Sequence, residues 1–180
     1  MSEKFRLDKV GYINKNKKIS FKFNGKKYFG YKGDTLASAL LANGIHLVGR
    51  SFKYHRPRGI MTAGSEEPNA IVQVNDNTAH TEPNVRATEI EIYEGLEASS
   101  QNCWPSVNFD VGGINNVLSP ILPAGFYYKT FMWPASFWEK YEYVIRHSAG
   151  LGKSPKVADP DIYDHRYIHC DVLIIGAGIA

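Results

Sequence analysis

Apolar and polar residues alternate along the early part of the chain in a way that predicts its elements. In "ISFKFNGKKYF" two alternating runs flank the pair Asn24-Gly25. That pair tolerates positive φ at both central positions of a two-residue turn, so a tight hairpin is expected. Phe21 then faces Tyr28 across the strands, while Lys22 and Lys27 share the solvent face. In "KGDTLASALLANGI" the period changes. Leu36, Ala39 and Leu40 fall on one helical face, Asp34 or Thr35 can cap the first turn, and Gly44 supplies a left-handed stop. This helix should pack its leucine stripe against the hairpin. Further on, "AIVQV" (70–74) and "TEIEIY" (88–93) read as strands, with Ile90 and Ile92 inward and Glu89 and Glu91 outward.

Hairpin, helix, loop, strand, strand is the order of a small α+β roll of the β-grasp kind. It occupies roughly residues 15–95 within a first domain at 1–98. Such rolls host ubiquitin-like proteins and plant-type iron–sulfur ferredoxins. In the ferredoxins the cluster cysteines lie mainly between the helix and the following strand. Here that interval, "GRSFKYHRPRGIMTAGSEEPNA", holds no cysteine, and a cluster needs about four thiolates. The expectation is a ferredoxin-like roll without an iron–sulfur cluster.

Residues 99–168 read as an irregular, aromatic-rich connector. Eleven of the 23 aromatics lie between Trp104 and Tyr143, and Pro105, Pro120, Pro123 and Pro134 interrupt long regular elements. These aromatics should dock onto something large: core packing within a longer protein is the first reading, an exposed patch for a partner subunit the second. Within the connector, "SFWEKYEYVIRHSAGLG" predicts a helix at 137–149. Ser136 and Glu139 have capping-box spacing, Phe137, Tyr141, Val144 and Ile145 form a stripe, and Gly150 is the stop.

Composition narrows the function classes. Hydrophobic residues make up 43% and charged residues 22%, ordinary for a soluble globular chain. A net charge of +3 does not call for nucleic acid, and the many early lysines read as a solvated face. Two cysteines, Cys103 and Cys170, exclude a disulfide framework and suit a reducing cytoplasm. No apolar run is long enough for a bilayer, and "MSEKFRLDKV" lacks the apolar centre of a signal peptide, so an intracellular chain with no membrane partner is expected.

Two stretches carry candidate chemistry. The last ten residues, "DVLIIGAGIA", place Gly176 and Gly178 directly after the apolar run Val172 to Ile175. A strand followed by two such glycines opens a dinucleotide-binding turn: the first allows the tight turn, the second lets the backbone approach a pyrophosphate. Residues 169–180 are therefore expected to begin an α/β Rossmann-like FAD- or NAD-binding domain, with the chain as the front piece of a longer protein. The second stretch, "GRSFKYHRPRG" (49–59), gathers Arg50, Lys53, Arg56 and Arg58 with His55, interleaved with Phe52 and Tyr54. It suits phosphates, a stacked base or an acidic partner, with a solvated or structurally paired loop as the plain alternative. The histidines are dispersed, and only His165 and His169 have helical metal-ligand spacing, close behind Pro160; no metal is expected. Cys103 reads as a packed thiol, so no catalytic residue is assigned.

The stretches "GDTLASALLANGI", "GRSFKYHRPRGIMTAGSEEPNA", "LPAGFYYKTFMWP" and "HCDVLIIGAGIA" resemble the N-terminal region of the alpha subunits of heterotetrameric sarcosine oxidases, over roughly Lys9 to Ala180. Related opine and amine dehydrogenase subunits share some of this architecture. The resemblance implies a complex that oxidatively demethylates sarcosine to glycine, produces hydrogen peroxide and passes the one-carbon unit to tetrahydrofolate. It implies NAD in the alpha subunit, which by position falls on Gly176, Ala177, Gly178 and Ala180. It also implies FAD and FMN elsewhere in the complex, and beta, gamma and delta subunits as partners. These 180 residues alone should bind none of these cofactors and oxidise nothing. The alternatives are a subunit-interaction scaffold of a related dehydrogenase and a basic nucleic-acid-binding module, the latter without a recognised reading motif.

Overall fold

The computed structural model describes residues 4–7, 13–76, 78–121, 133–148 and 150–176. Strands β1 (Asn14–Phe23) and β2 (Lys26–Lys32) form the expected hairpin. Asn24 and Gly25 turn at φ 49° and 75°, both positive as a two-residue turn matched to strand twist requires. Phe21 pairs with Tyr28 and Lys22 with Lys27. Helix α1 (Leu36–Ala42) starts at Thr35, whose hydroxyl accepts from the Ser38 N–H at 3.2 Å. It ends at Asn43, with Gly44 left-handed at φ 77°.

Five strands make the main sheet, in the order β2-β1-β7-β5-β6, where β5 is Ile71–Val74, β6 Glu82–Arg86 and β7 Glu97–Ser100. β1 and β7 run parallel and the other neighbours antiparallel, the arrangement of a β-grasp roll. One core joins sheet and helix: Phe21, Leu36, Leu40, Val72, Ile92 and Leu96 are each at most 2% exposed. Truncating one such leucine removes about 2–5 kcal/mol. At the helix N-terminus the Asp34 carboxylate is fully buried. Arg6 grips it with two hydrogen bonds, at 2.6 and 3.1 Å, and it also accepts from the Tyr31 N–H and the Ser38 hydroxyl.

The segment 88–93 is not a strand. Its alternation is real, with Ile92 buried and Glu89 and Glu91 exposed. Its backbone serves the start of α1 instead: Leu36 N–H donates to the Ile90 carbonyl at 2.8 Å, and Ile92 N–H to that of Asp34 at 3.0 Å. The sheet positions go to the more polar β6 and β7. Alternation reports which face a side chain takes and is silent on the pairing partner.

Beyond β7 the connector is a series of short turns (Val111–Gly113, Ser119–Ile121) around a one-turn helix α2 (Ile114–Val117). Helix α3 covers Trp138–Ser148, within the predicted span. Its capping box does not form as expected: Ser136 lies inside a 3-10 turn (Ala135–Phe137) capped by Pro134. Trp104, Phe109 and Trp133 are 71%, 70% and 84% exposed, so these aromatics are not packed into a core among the described residues. The run "GFYYKTF" lies outside those residues. The strand expected at Val172–Ile175 is corrected as well. All four side chains are at least 72% exposed and no neighbouring strand pairs with them, so the ladder that makes a strand is absent among the described residues. No helix among the described residues is long and apolar enough to cross a membrane.

Candidate functional site

The basic stretch folds as a second hairpin, β3 (Gly49–Arg50) with β4 (Pro57–Arg58), paired Gly49 to Arg58 and Arg50 to Pro57. Its tip is closed by Ser51, whose N–H donates to the Arg56 carbonyl and whose hydroxyl accepts from the Arg56 N–H, both at 2.9 Å. His55 takes a left-handed conformation at φ 53°. That turn swings its ring to Asp110, where Nδ1 lies 2.7 Å from a carboxylate that is 1% exposed. The other Asp110 oxygen accepts from the N–H groups of Trp104 and Gly112. Asn102 donates to the Ser51 carbonyl at 2.6 Å. The hairpin is thus pinned to the connector by side chains on both strands of contact.

The four cations named from the sequence separate into different roles. Arg50 is structural: Nε and Nη2 donate to the Val107 carbonyl at 2.8 and 2.6 Å, and Nη1 to that of His55 at 3.2 Å. Arg56 is held through one edge. Its Nε donates to Asn116 Oδ1 at 2.7 Å, its guanidinium lies 4.8 Å over the Tyr54 ring, and its terminal amino groups have no hydrogen-bond partner among the described residues. Lys53 sits 5.1 Å from the same ring. The exposed Arg58 guanidinium has no partner among the described residues. These side chains line a cavity of about 460 Å³ whose wall contains no aspartate or glutamate among the described residues.

Below the hairpin, the loop 61–70 is organised by Glu67, which is fully buried. Burial pushes its carboxyl up, but N–H bonds from Thr62, Asn69, Met61 and Ala70 outweigh that and hold it below the usual carboxylate range. Nothing in "GSEEPNA" marks Glu67 over Glu66, since two adjacent acids in a polar loop read alike. Asp110 and Asn102 were equally illegible, because their partners are about fifty residues away. On the far side, His80, Asp159 and Asp161 come together, all exposed. Gly176 turns at φ 97°, with nothing within 4 Å of where a Cβ would stand. Ala177, Gly178 and Ala180 lie outside the described residues.

Comparison with known proteins fixes the relationship. The sarcosine oxidase subunit alpha of Rhizobium meliloti (strain 1021) is 63% identical over 175 residues, which is 97% of this chain and 18% of that protein. The chain is a homologue of the sarcosine oxidase alpha subunit. The corresponding subunit of Corynebacterium sp. (strain U-96) is 31% identical over 93% of the chain and 13% of its own length. The chain therefore spans less than a fifth of these sarcosine oxidase alpha subunits, at their N-terminal region. L-proline dehydrogenase from P. horikoshii is similar at 28% identity over 52% of this chain and 17% of that one, with a TM-score of 0.40.

A family profile described as a 2Fe-2S iron-sulfur cluster binding domain matches residues 16–103. This overturns the expectation of no iron–sulfur cluster, since residues 16–103 are similar to a cluster-binding domain. The donors in this chain do not make up the ligand set such a group requires. Cys103 and Cys170 are its two thiols, against about four thiolates for a cluster. Cys103 is half-buried, and burial and then the Asp110 charge push its thiol up while Arg50 pulls it down.

Proposed function

We propose that this chain is the N-terminal part of a sarcosine oxidase-like alpha subunit, and that it supports the cofactor domain without contributing a catalytic residue. The 63% identity across 97% of the chain carries this reading. In it, the whole complex demethylates sarcosine oxidatively to glycine, with hydrogen peroxide as co-product and tetrahydrofolate receiving the one-carbon unit. FAD and FMN sit elsewhere in the complex, with beta, gamma and delta subunits as partners, in the cytoplasm.

The alpha subunit's NAD falls, on this reading, on Gly176, Ala177, Gly178 and Ala180. The fit is supported by the conformation of Gly176, whose positive φ and open surroundings suit a turn where backbone meets a phosphate. NAD would supply redox chemistry; these residues would only bind and orient it. The test is to assemble the complex with the other subunits and measure sarcosine-dependent peroxide and bound nucleotide. Turnover by the complex, lost nucleotide in Gly176→Val, and no turnover by these 180 residues are expected. Sarcosine oxidation by the isolated chain would overturn the reading, as would a complex without flavin.

A second role is favoured by one observation. The exposure of Trp104, Phe109 and Trp133 supports a scaffold surface for a neighbouring subunit or domain.

A further inference from the structure

We propose that the cavity beneath the β3–β4 hairpin is a binding site for a phosphate-bearing ligand of nucleotide size. The proposal stands apart from the glycine turn at Gly176 and from the identity of the oxidised substrate.

Charge is the first argument. Arg50, Lys53, Arg56 and Arg58 all line this one cavity, and no acidic side chain among the described residues does. Four cations around one concavity repel one another, and an anion relieves that. The second is donor supply. Arg58 has no partner among the described residues, and Arg56 is fixed at Nε and over Tyr54 so that its outer edge is preset. A guanidinium with two open amino groups matches two phosphate oxygens at once.

Rigidity and shape complete the case. The hairpin and its tip are locked by Arg50 on Val107, by His55 on Asp110 and by Asn102 on Ser51, so little ordering is needed on binding. A volume of about 460 Å³ suits a nucleotide more than a lone ion. Phe52, Ile71 and Leu151 add exposed apolar wall, 51%, 36% and 54% accessible, against which a flat ring can lie. A strand of nucleic acid is a poorer fit. The lysines of the first hairpin, Lys17, Lys18 and Lys32, border a separate cavity, so the cations do not form one continuous track.

The experiment titrates the purified chain with pyrophosphate, ADP and adenosine by calorimetry, at about 50 and about 200 mM salt. Pyrophosphate and ADP should bind, ADP more tightly, with affinity falling as salt rises; adenosine should not saturate. Arg58→Ala and Arg56→Ala should each weaken ADP at least about tenfold, the scale of one lost charge-assisted contact. Lys18→Ala should change nothing. Arg58 is exposed and unpartnered, so R58A and R58E should keep the parent circular dichroism and melting temperature even if Arg56→Ala softens the fold. Absence of binding by both phosphate ligands overturns the proposal, as does full affinity in R58E. Binding that survives R58A and vanishes in Gly176→Val would move the phosphate to the glycine turn and overturn it too.

Discussion

Gln73 and Lys153 exchange two hydrogen bonds: Gln73 Nε2 donates to the Lys153 carbonyl and Lys153 N–H donates to Gln73 Oε1, each at 2.9 Å. A side-chain amide here imitates the backbone of a neighbouring strand. Asn84 and Gln101 extend the arrangement, accepting from Gly152 N–H and donating to the Gly150 carbonyl. The segment 150–153 is strapped to the sheet by three amides from three strands or strand ends. Gln73→Leu removes both bonds and leaves two backbone groups to find water. It should cost about 1–3 kcal/mol and expose the strap. Faster amide exchange at Gly152 and Lys153, with the β1–β2 hairpin unchanged, would show this; unchanged exchange would refute it.

Glu67 should make the roll acid-sensitive. Its folded carboxyl is held below the ordinary value of 4.5, so the stability it adds is fully present above that value. It is lost as pH falls through the lower, folded value. Glu67→Gln keeps the size but replaces one oxygen with a donor facing backbone N–H groups. The melting temperature at neutral pH should drop, and the decline below about pH 4.5 should flatten relative to the parent. A parallel decline in both proteins would count against the Glu67 assignment.

The Arg6–Asp34 pair anchors the start of α1 under cover. Removing Arg6 strands a fully buried carboxylate, and breaking such a pair costs about 3–5 kcal/mol. Arg6→Ala should therefore destabilise far more than Lys22→Ala, which opens an exposed pair with Glu97 worth at most about 1 kcal/mol. Denaturant titration of the two variants separates them; equal losses would mean that Arg6 leaves the buried site readily.

Cys103 and Cys170 should react at different rates. Burial and then the Asp110 charge push the first thiol up and shield it, whereas the second is exposed. Alkylation at neutral pH followed by peptide mapping should label Cys170 first, and Cys103 should catch up only on unfolding. Equal labelling in the native state would contradict the packing described for Cys103.

What could be read from the sequence was local. The Asn24-Gly25 turn, the Phe21–Tyr28 register and the capped helix depend on residues a few positions apart, and all three stand as expected. Partners distant in sequence could not be read. Ile90 and Ile92 advertise a strand but serve the helix start, and β7 hides as "EASS" because its partners β1 and β5 come from distant parts of the chain. The basic loop announced its charge. That Arg50 is tied to Val107 while Arg58 is free depends on a contact 57 residues away. Gly176 and Gly178 were legible as a motif, yet a strand is made by its neighbours, and none pairs with Val172–Ile175 among the described residues.

Gly150 and Leu151 belong to the same cavity wall as Arg56 and Arg58. A guest in that hollow would cross-brace two pieces of backbone nearly a hundred positions apart, the hairpin tip and the tether leaving the roll. Occupancy and tether order then become one equilibrium seen from two ends, each reinforcing the other by the same factor. The hollow is in that sense a clasp, through which a bound phosphate-bearing ligand would set how firmly the stretch at 150–153 is held against the roll.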